Sequence, residues 1–312
     1  MRDVRTVTGT PNIRNFALGN ANAGGAPIVV DNSSGSEAIY VLNAAGEVVQ
    51  VAVSGDPFVA QAIRVIEDQY GDTVSVVNKK KDLLKFGRST QVNSSNYATL
   101  MTLPTGTLNE TYLSDNLITT VSSSVDTDTG AMVVEGHTIS GSNLTFVTQS
   151  VTLTGQTQAS LGTPLARCTR LYNNTGTSWT GAVYAYEDDT NNGSPGVPDT
   201  GAKVHCMIFA GQQQSEKAST SVSSTDYWII TQFTADVLEK TAAWIDAVLE
   251  HRQVGKVFRP IATMSANSGS QGRYEFRPYA IIPKNSDVRI RAKGSGNITA
   301  SGTIDGILAV IV

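Results

Sequence analysis

The chain has 312 residues, 40% of them hydrophobic and 16% charged, with a formal net charge of −4. Val, Ile, Leu and aromatic residues recur along its whole length, which excludes a disordered chain, and the charge argues against a surface built to coat nucleic acid. Cys168 and Cys206 are the only cysteines, too few for a disulfide framework, and read as buried small hydrophobes.

Residues 1–25 are rich in Asn, Gly and Ala with scattered Arg, a composition that predicts an extended arm. Residues 26–75 read as a small β module followed by a helix. Apolar runs at 28–30, 38–42 and 48–53 are separated by turn clusters at 31–35 and 43–46. Asp56 suits an N-cap and Pro57 the first helical position. Val59, Ile63, Ile66 and Tyr70 then fall on one helical face, and Gly71 suits the stop. Residues 76–107 are predicted as a polar connector. It holds the one concentrated charge run, KKKDLLKFGR at 79–88. Lys79, Lys80, Lys81, Lys85 and Arg88 make this either a solvated connector or a docking patch for an acidic surface, since clustered like charge steers association.

From residue 108 to 312, strand signals arrive about every 8–12 residues, the spacing of a β-sandwich. They lie at 116–121, 131–134, 144–147, 150–153, 166–172, 182–186, 204–209, 227–234 and 257–264, before a terminal group at 274–282, 287–293 and 306–312. In the terminal group charged and apolar residues alternate. Val288, Ile290 and Ala292 face a core, while Arg289, Arg291 and Lys293 form a solvated face or a subunit interface, the solvated face being preferred. Residues 235–252, ADVLEKTAAWIDAVLEHR, have helix-forming letters. They lie between strands, however, and a strand at 243–252 is the reading taken. The fold class is therefore mainly β: a jelly-roll-like β-sandwich with a small N-terminal β module, an extended arm and one short helix.

No catalytic motif of the nucleophile-elbow, Walker or dinucleotide type is present. His137, His205 and His251 are scattered. His205 neighbours Cys206 on an apolar strand, where successive side chains point to opposite faces, so the two do not meet as base and nucleophile. Two acidic clusters echo calcium loops. One is Asp126 with Asp128; the other has Asp188, Thr190, Asn192, Gly193 and Asp199 at the loop's first, third, fifth, sixth and twelfth positions. The same letters build ordinary turns, which is the preferred reading. Trp179, Tyr184, Tyr186, Trp228 and Trp244 are sugar-stacking candidates, but they lie in or beside strands, where packing is the plainer role. No zinc-type Cys/His spacing, no signal-peptide core and no membrane-length apolar run is read. The expectation is a chain that folds in a cytosol, with no cofactor, no metal and neither nucleic acid nor membrane as a partner.

Several segments, taken in order, resemble one family. They are LKFGR at 84–88, VTLTGQT at 151–157, GKVFR at 255–259, Tyr274-Glu275-Phe276, IIPKNSDVRIRAK at 281–293 and TIDGIL at 303–308. The family is that of virion structural proteins of tailed bacteriophages, of the marine and cyanobacterial type, and the resemblance spans residues 80–312. It implies a non-enzymatic, particle-bound β-sandwich. The resemblance does not itself fix the station on the particle. Taken with the absent catalytic signature and with an extended arm and basic run that could grip a lattice, the expected station is that of a capsid decoration, cement or head-fibre protein on the capsid surface, made in the host cytoplasm. Such a protein would grip the major capsid protein through its N-terminal part and self-assemble as a homotrimer. A tail, collar or fibre-adaptor component and a carbohydrate-binding attachment module are the alternatives.

Overall fold

The computed structural model describes the backbone of the strands from Ile13 onward and, apart from residues 190–192 and 240–241, side chains from Lys80 to Val310. The chain divides into two compact units, Met1–Lys80 with Ala309–Val312, and Lys81–Leu308. In the first, β1 (Ile13–Asn15), β2 (Ile28–Asp31), β3 (Glu37–Leu42) and β4 (Val48–Ser54) form an antiparallel sheet in that order. The three apolar runs read from the sequence are β2, β3 and β4. Part of the predicted arm, Ile13–Asn15, is a strand paired with β2. The segment predicted as a helix is described only at β5 (Ile66–Glu67), which pairs with β6 (Val74–Ser75) and is extended. Ile66 and Val74 are β-branched residue types, which favour that state. The rest of the predicted helix and arm lies outside the described residues.

The predicted connector carries a sixteen-residue strand, β7 (Val77–Val92). From Leu84 to Thr90 its residues alternate between an exposed and a packed face. Lys85, Gly87 and Ser89 are buried while Leu84, Phe86 and Thr90 are exposed. Gly87 lets the strand pass close to its neighbours: a Cβ there would lie 2.0 Å from the Leu100 carbonyl oxygen and 2.1 Å from the Ala218 nitrogen. After it comes the short β8 (Ala98–Thr99).

Residues 118–208 build a first sandwich. Its strands are β9 (Ile118–Ser123), β10 (Thr129–Ser140), β11 (Asn143–Thr154), β12 (Ala159–Leu165), β13 (Arg167–Asn173), β14 (Val183–Glu187) and β15 (Val204–Ile208). One sheet runs β11-β10-β13 and the other β12-β9-β14-β15. Between them lie Ile118, Val121, Met132, Leu153, Leu171 and Trp179, all buried. The runs predicted separately at 144–147 and 150–153 are one strand, β11. β12 escaped the sequence reading because Gly162 and Pro164 interrupt it, and its pairing with β9 breaks register between Ser160 and Leu165.

A second sandwich follows, with a separate core where one sandwich was expected. It contains β16 (Ser219–Val222), β17 (Tyr227–Val237), β18 (Trp244–Gln253), β19 (Arg259–Asn267), β20 (Gly272–Ile282), β21 (Ser286–Gly294) and β22 (Ile298–Ile311). One sheet runs β16-β21-β18-β19, with β8 also on β21, and the other β20-β17-β22-β7. The pairs β16–β21, β17–β20 and β18–β19 are nested. A hairpin rolled between two sheets in this way is the jelly-roll pattern. The helix-prone 243–252 segment is β18. Ile245, Ala247 and Leu249 alternate into the core, and pairing on both sides overrides local propensity. β16 is all Ser, Thr and Val in polar context and carries no apolar run to betray it.

Candidate functional site

The chemistry-bearing side chains converge where the two sandwiches meet. β21 presents Asp287, Arg289 and Arg291 on the face opposite its core residues, and β18 presents Arg252 and Glu250 beside them in register. From the first sandwich β13 contributes Arg167. Asp287, fully buried, accepts hydrogen bonds from Arg167 Nε (2.9 Å) and Nη2 (3.1 Å), Arg252 Nε (3.1 Å) and Ser221 Oγ (2.7 Å). Glu250 accepts from Arg289 Nε (3.0 Å) and from Arg291 Nε (2.9 Å) and Nη2 (2.6 Å). Aromatic rings fill the gaps. The Arg289 guanidinium lies 3.7 Å from the Phe258 ring centre, and that of Arg252 lies 4.7 Å from both Phe258 and Tyr112. Burial alone would push the Asp287 carboxyl up. The bonds and charge of Arg167, the Ser221 hydroxyl and the Arg252 charge outweigh it and hold the carboxyl below its ordinary value.

The row expected to be solvated is thus mostly covered. Arg289 is buried and Arg291 and Lys293 are half-buried. The alternation was real; the lid was not legible, because Glu250, Tyr112 and Phe258 come from distant parts of the chain.

A second buried centre lies close by. Lys217 Nζ donates to Glu110 Oε1 (2.5 Å) and to the carbonyls of Cys168 (2.6 Å) and His205 (3.0 Å), and Ser219 Oγ donates to Glu110 Oε2 (2.7 Å). Burial opposes the charge on Lys217, but the Glu110 carboxylate overrides it and raises the lysine's pKa. Lys85 has no such partner. It donates to the Thr169 carbonyl (3.1 Å), and burial, only partly opposed by Glu135, lowers it to about 8.

The predicted docking run does not form one patch. Lys80 and Lys81 are exposed, and Lys81 lies over the Phe146 ring at 5.2 Å. Lys85 is buried, and Arg88 pairs with Glu216 at 2.9 Å. The Lys79 side chain lies outside the described residues. A strand sends alternate residues to opposite faces, so a run of charge in sequence is divided in space.

The other candidates are placed as follows. Asp128 is buried and accepts from the backbone N–H groups of Thr180 (2.9 Å) and Gly181 (2.8 Å) and from Ser123 Oγ (2.7 Å), so it clamps a turn. Asp126 is exposed. In the second acidic loop Asp189 accepts from the Thr200 N–H (2.8 Å) and lies 3.4 Å from Lys203 Nζ, while Asp199 accepts from the Gly193 N–H (3.0 Å). Thr190 and Asn192 lie outside the described residues. Among those described, no group of three His, Cys, Asp or Glu side chains could hold a metal ion.

His205 faces the Thr111 carbonyl through Nδ1 (3.1 Å) and Glu187 through Nε2 (3.0 Å). Burial lowers its pKa against the pull of Glu187. Cys206, on the opposite side of the strand, lies in the core with Cys168, and both are free thiols. Trp179, Tyr184, Tyr186 and Trp228 are buried, and only Trp244 is exposed among the five sugar-stacking candidates. They form no stacking platform.

No family model matches this chain, and no curated protein matches it. Among solved structures it is similar to a chain of infectious bursal disease virus Gt strain, with 12% identity, a TM-score of 0.20 and coverage of 82% of this chain and 78% of that one. It is similar to the tandem CBM22-1-CBM22-2 domain of Paenibacillus barcinonensis Xyn10C, with 12% identity, a TM-score of 0.20 and coverage of 96% and 97%. A chain of the Gx strain of the same virus gives 13% identity, a TM-score of 0.21 and coverage of 96% and 70%. Similarities this low carry no argument about function.

Proposed function

We propose that this chain is a non-enzymatic virion structural protein of a tailed bacteriophage: a capsid decoration, cement or head-fibre protein. On this reading the N-terminal part attaches to the major capsid protein and the Lys81–Leu308 body projects. The observation that carries the reading is the junction. Arg167, Asp287, Glu250, Lys217 and Glu110 are all engaged in bonds that fasten strands to one another. Buried ion pairs of this kind add little net stability over an apolar contact, but their geometry fixes how the packed pieces are set. A body held in one arrangement suits a particle component. The sequence resemblance over residues 80–312 supports the same assignment.

The test is binding of the full chain, and of a chain lacking residues 1–76, to preformed capsids that lack the protein. Binding by the full chain alone supports the N-terminal anchor. Equal binding by both contradicts it, and binding by neither contradicts the capsid station.

A further inference from the structure

An exposed strand edge is a row of unpaired backbone donors and acceptors, and proteins blunt such edges with charge, proline, bulges or brevity. Every other sheet edge in the Lys81–Leu308 body does so. β19 begins Arg259-Pro260; β20 carries Arg273, Arg277 and Pro278. β12 is broken at its bulge, β15 and β16 are five and four residues long, and β7 is dense in Lys, Asp and Arg. The β13 edge is covered by the chain at 213–215, through the Asn173 N–H to the Gln213 carbonyl (2.8 Å) and the Ser215 N–H to the Leu171 carbonyl (2.9 Å). β11 is the exception. It is twelve residues long, NLTFVTQSVTLT, without a charge, a proline or a glycine.

Which of its groups are free follows from the hairpin. β10 and β11 are joined by the two-residue turn Gly141-Ser142, with Ser140 opposite Asn143 and Gly141 at φ +59°. The pair flanking such a turn is hydrogen-bonded, and bonded pairs then alternate. Odd-numbered residues of β11 therefore bond to β10, and even-numbered ones point their N–H and C=O away. The ends agree. Leu144 gives its N–H to Asn285 Oδ1 (2.9 Å) and accepts the Ser224 N–H (2.8 Å), and the Thr154 carbonyl accepts from Thr157. Between them Phe146, Thr148, Ser150 and Thr152 have outward main-chain groups without a partner among the described residues. Gln149 does not fill this gap. Its side-chain amide binds both main-chain groups of Thr163 (2.8 and 2.9 Å), tying in β12 and leaving β11's own outward main chain unused.

We propose that β11 pairs antiparallel with β11 of a second copy across a two-fold axis at Gln149, joining two three-stranded sheets into one of six. The sequence is self-complementary in that register. Phe146 falls opposite Thr152 of the second copy and Thr148 opposite Ser150, so all four open residues form bonded pairs at once. Val147 falls opposite Val151 on the inner face, and no like charges oppose. A register one residue away aims the open groups at residues already bonded to β10. This pairing is independent of the virion reading. It predicts a two-chain assembly in place of the homotrimer that the sequence resemblance implies.

The test is the mass of the full-length chain in solution by light scattering over a dilution series. The expected species has twice the 33.0 kDa chain mass and dissociates on dilution. Thr148→Lys/Ser150→Lys sets lysines directly opposite one another and is expected to weaken the dimer by about a hundredfold or more. Thr148→Glu/Ser150→Glu is expected to do the same, and an equimolar mixture of the two variants restores the two-chain species. Neither variant removes a bond to β10, since both positions point outward. Amide exchange of the unmodified chain gives a second readout. Phe146, Thr148, Ser150 and Thr152 exchange slowly when concentrated and fast when dilute. A monomeric or three-chain mass, a two-chain mass unchanged by the lysine pair, a mixture that stays monomeric, or exchange that ignores concentration would each overturn the proposal.

Discussion

Asp287→Asn isolates the junction. The substitution keeps the shape of the side chain and one acceptor oxygen but removes the charge that two guanidinium groups share. Arg167 is 2% exposed, so its charge cannot be rehydrated in place. Removing one partner of a buried pair costs about 3–5 kcal/mol, because the other charge stays buried and uncompensated. Asn still accepts one bond, which puts the expected loss near the lower end, about 3 kcal/mol. The assay is urea unfolding at pH 7, read as a lower midpoint at unchanged slope. Acid supplies an internal check. The Asp287 carboxyl is lowered in the folded chain, so its contribution is fully present above the unfolded aspartate value near 3.9 and is lost as pH falls from there through the folded value. The gap between the two proteins should be widest at neutral pH and close in strong acid. A loss below about 1 kcal/mol, or a gap that ignores acid, would refute the view that charge pairing holds this junction.

Three further outcomes follow from buried positions. The drop in Lys85 from 10.5 to about 8 corresponds to about 3 kcal/mol of unfavourable burial, and Lys85→Met should recover about 1–2 kcal/mol of it at pH 7 after the bond to the Thr169 carbonyl is lost. Between about pH 8 and 10.5 the unfolded chain binds more protons at this site. The parent protein should gain stability across that window in urea titrations, and the variant should not. Gly87→Ala should lower the thermal midpoint by the equivalent of about 3 kcal/mol or more, since its Cβ would meet the backbone of Leu100 and Ala218; an unchanged midpoint would contradict the packing at β7. Cys168 and Cys206 are fully buried and should resist a thiol reagent in the native chain and react together in denaturant. Fast native labelling of either would contradict the first core.

The sequence carried the strands better than their surroundings. β18 was legible despite its helix-forming letters because the segment lies between strands in an otherwise all-β run. β7 was not, because Lys80, Lys81 and Asp82 look like a solvated loop until Gly87 and Lys85 are seen to pack. The division into two cores was hidden as well: strand spacing is the same in one sandwich or two. At the junction one trace was available. Arg167 and Asp287 are charged residues at the starts of the predicted strand runs 166–172 and 287–293, and a charge that a strand carries inward calls for a buried partner. Which partner it finds depends on nonlocal pairing, and nothing near Arg167 in sequence announces a contact with Asp287, 120 positions away.

Whether this chain is a component of a virus particle is decided by its copy number and position in purified particles, measured by quantitative mass spectrometry and particle reconstruction. Many copies distributed over the icosahedral shell are expected, each holding its N-terminal part against the major capsid protein. Absence from the particles would contradict this expectation, and a few copies confined to one vertex would replace the capsid station with a tail one.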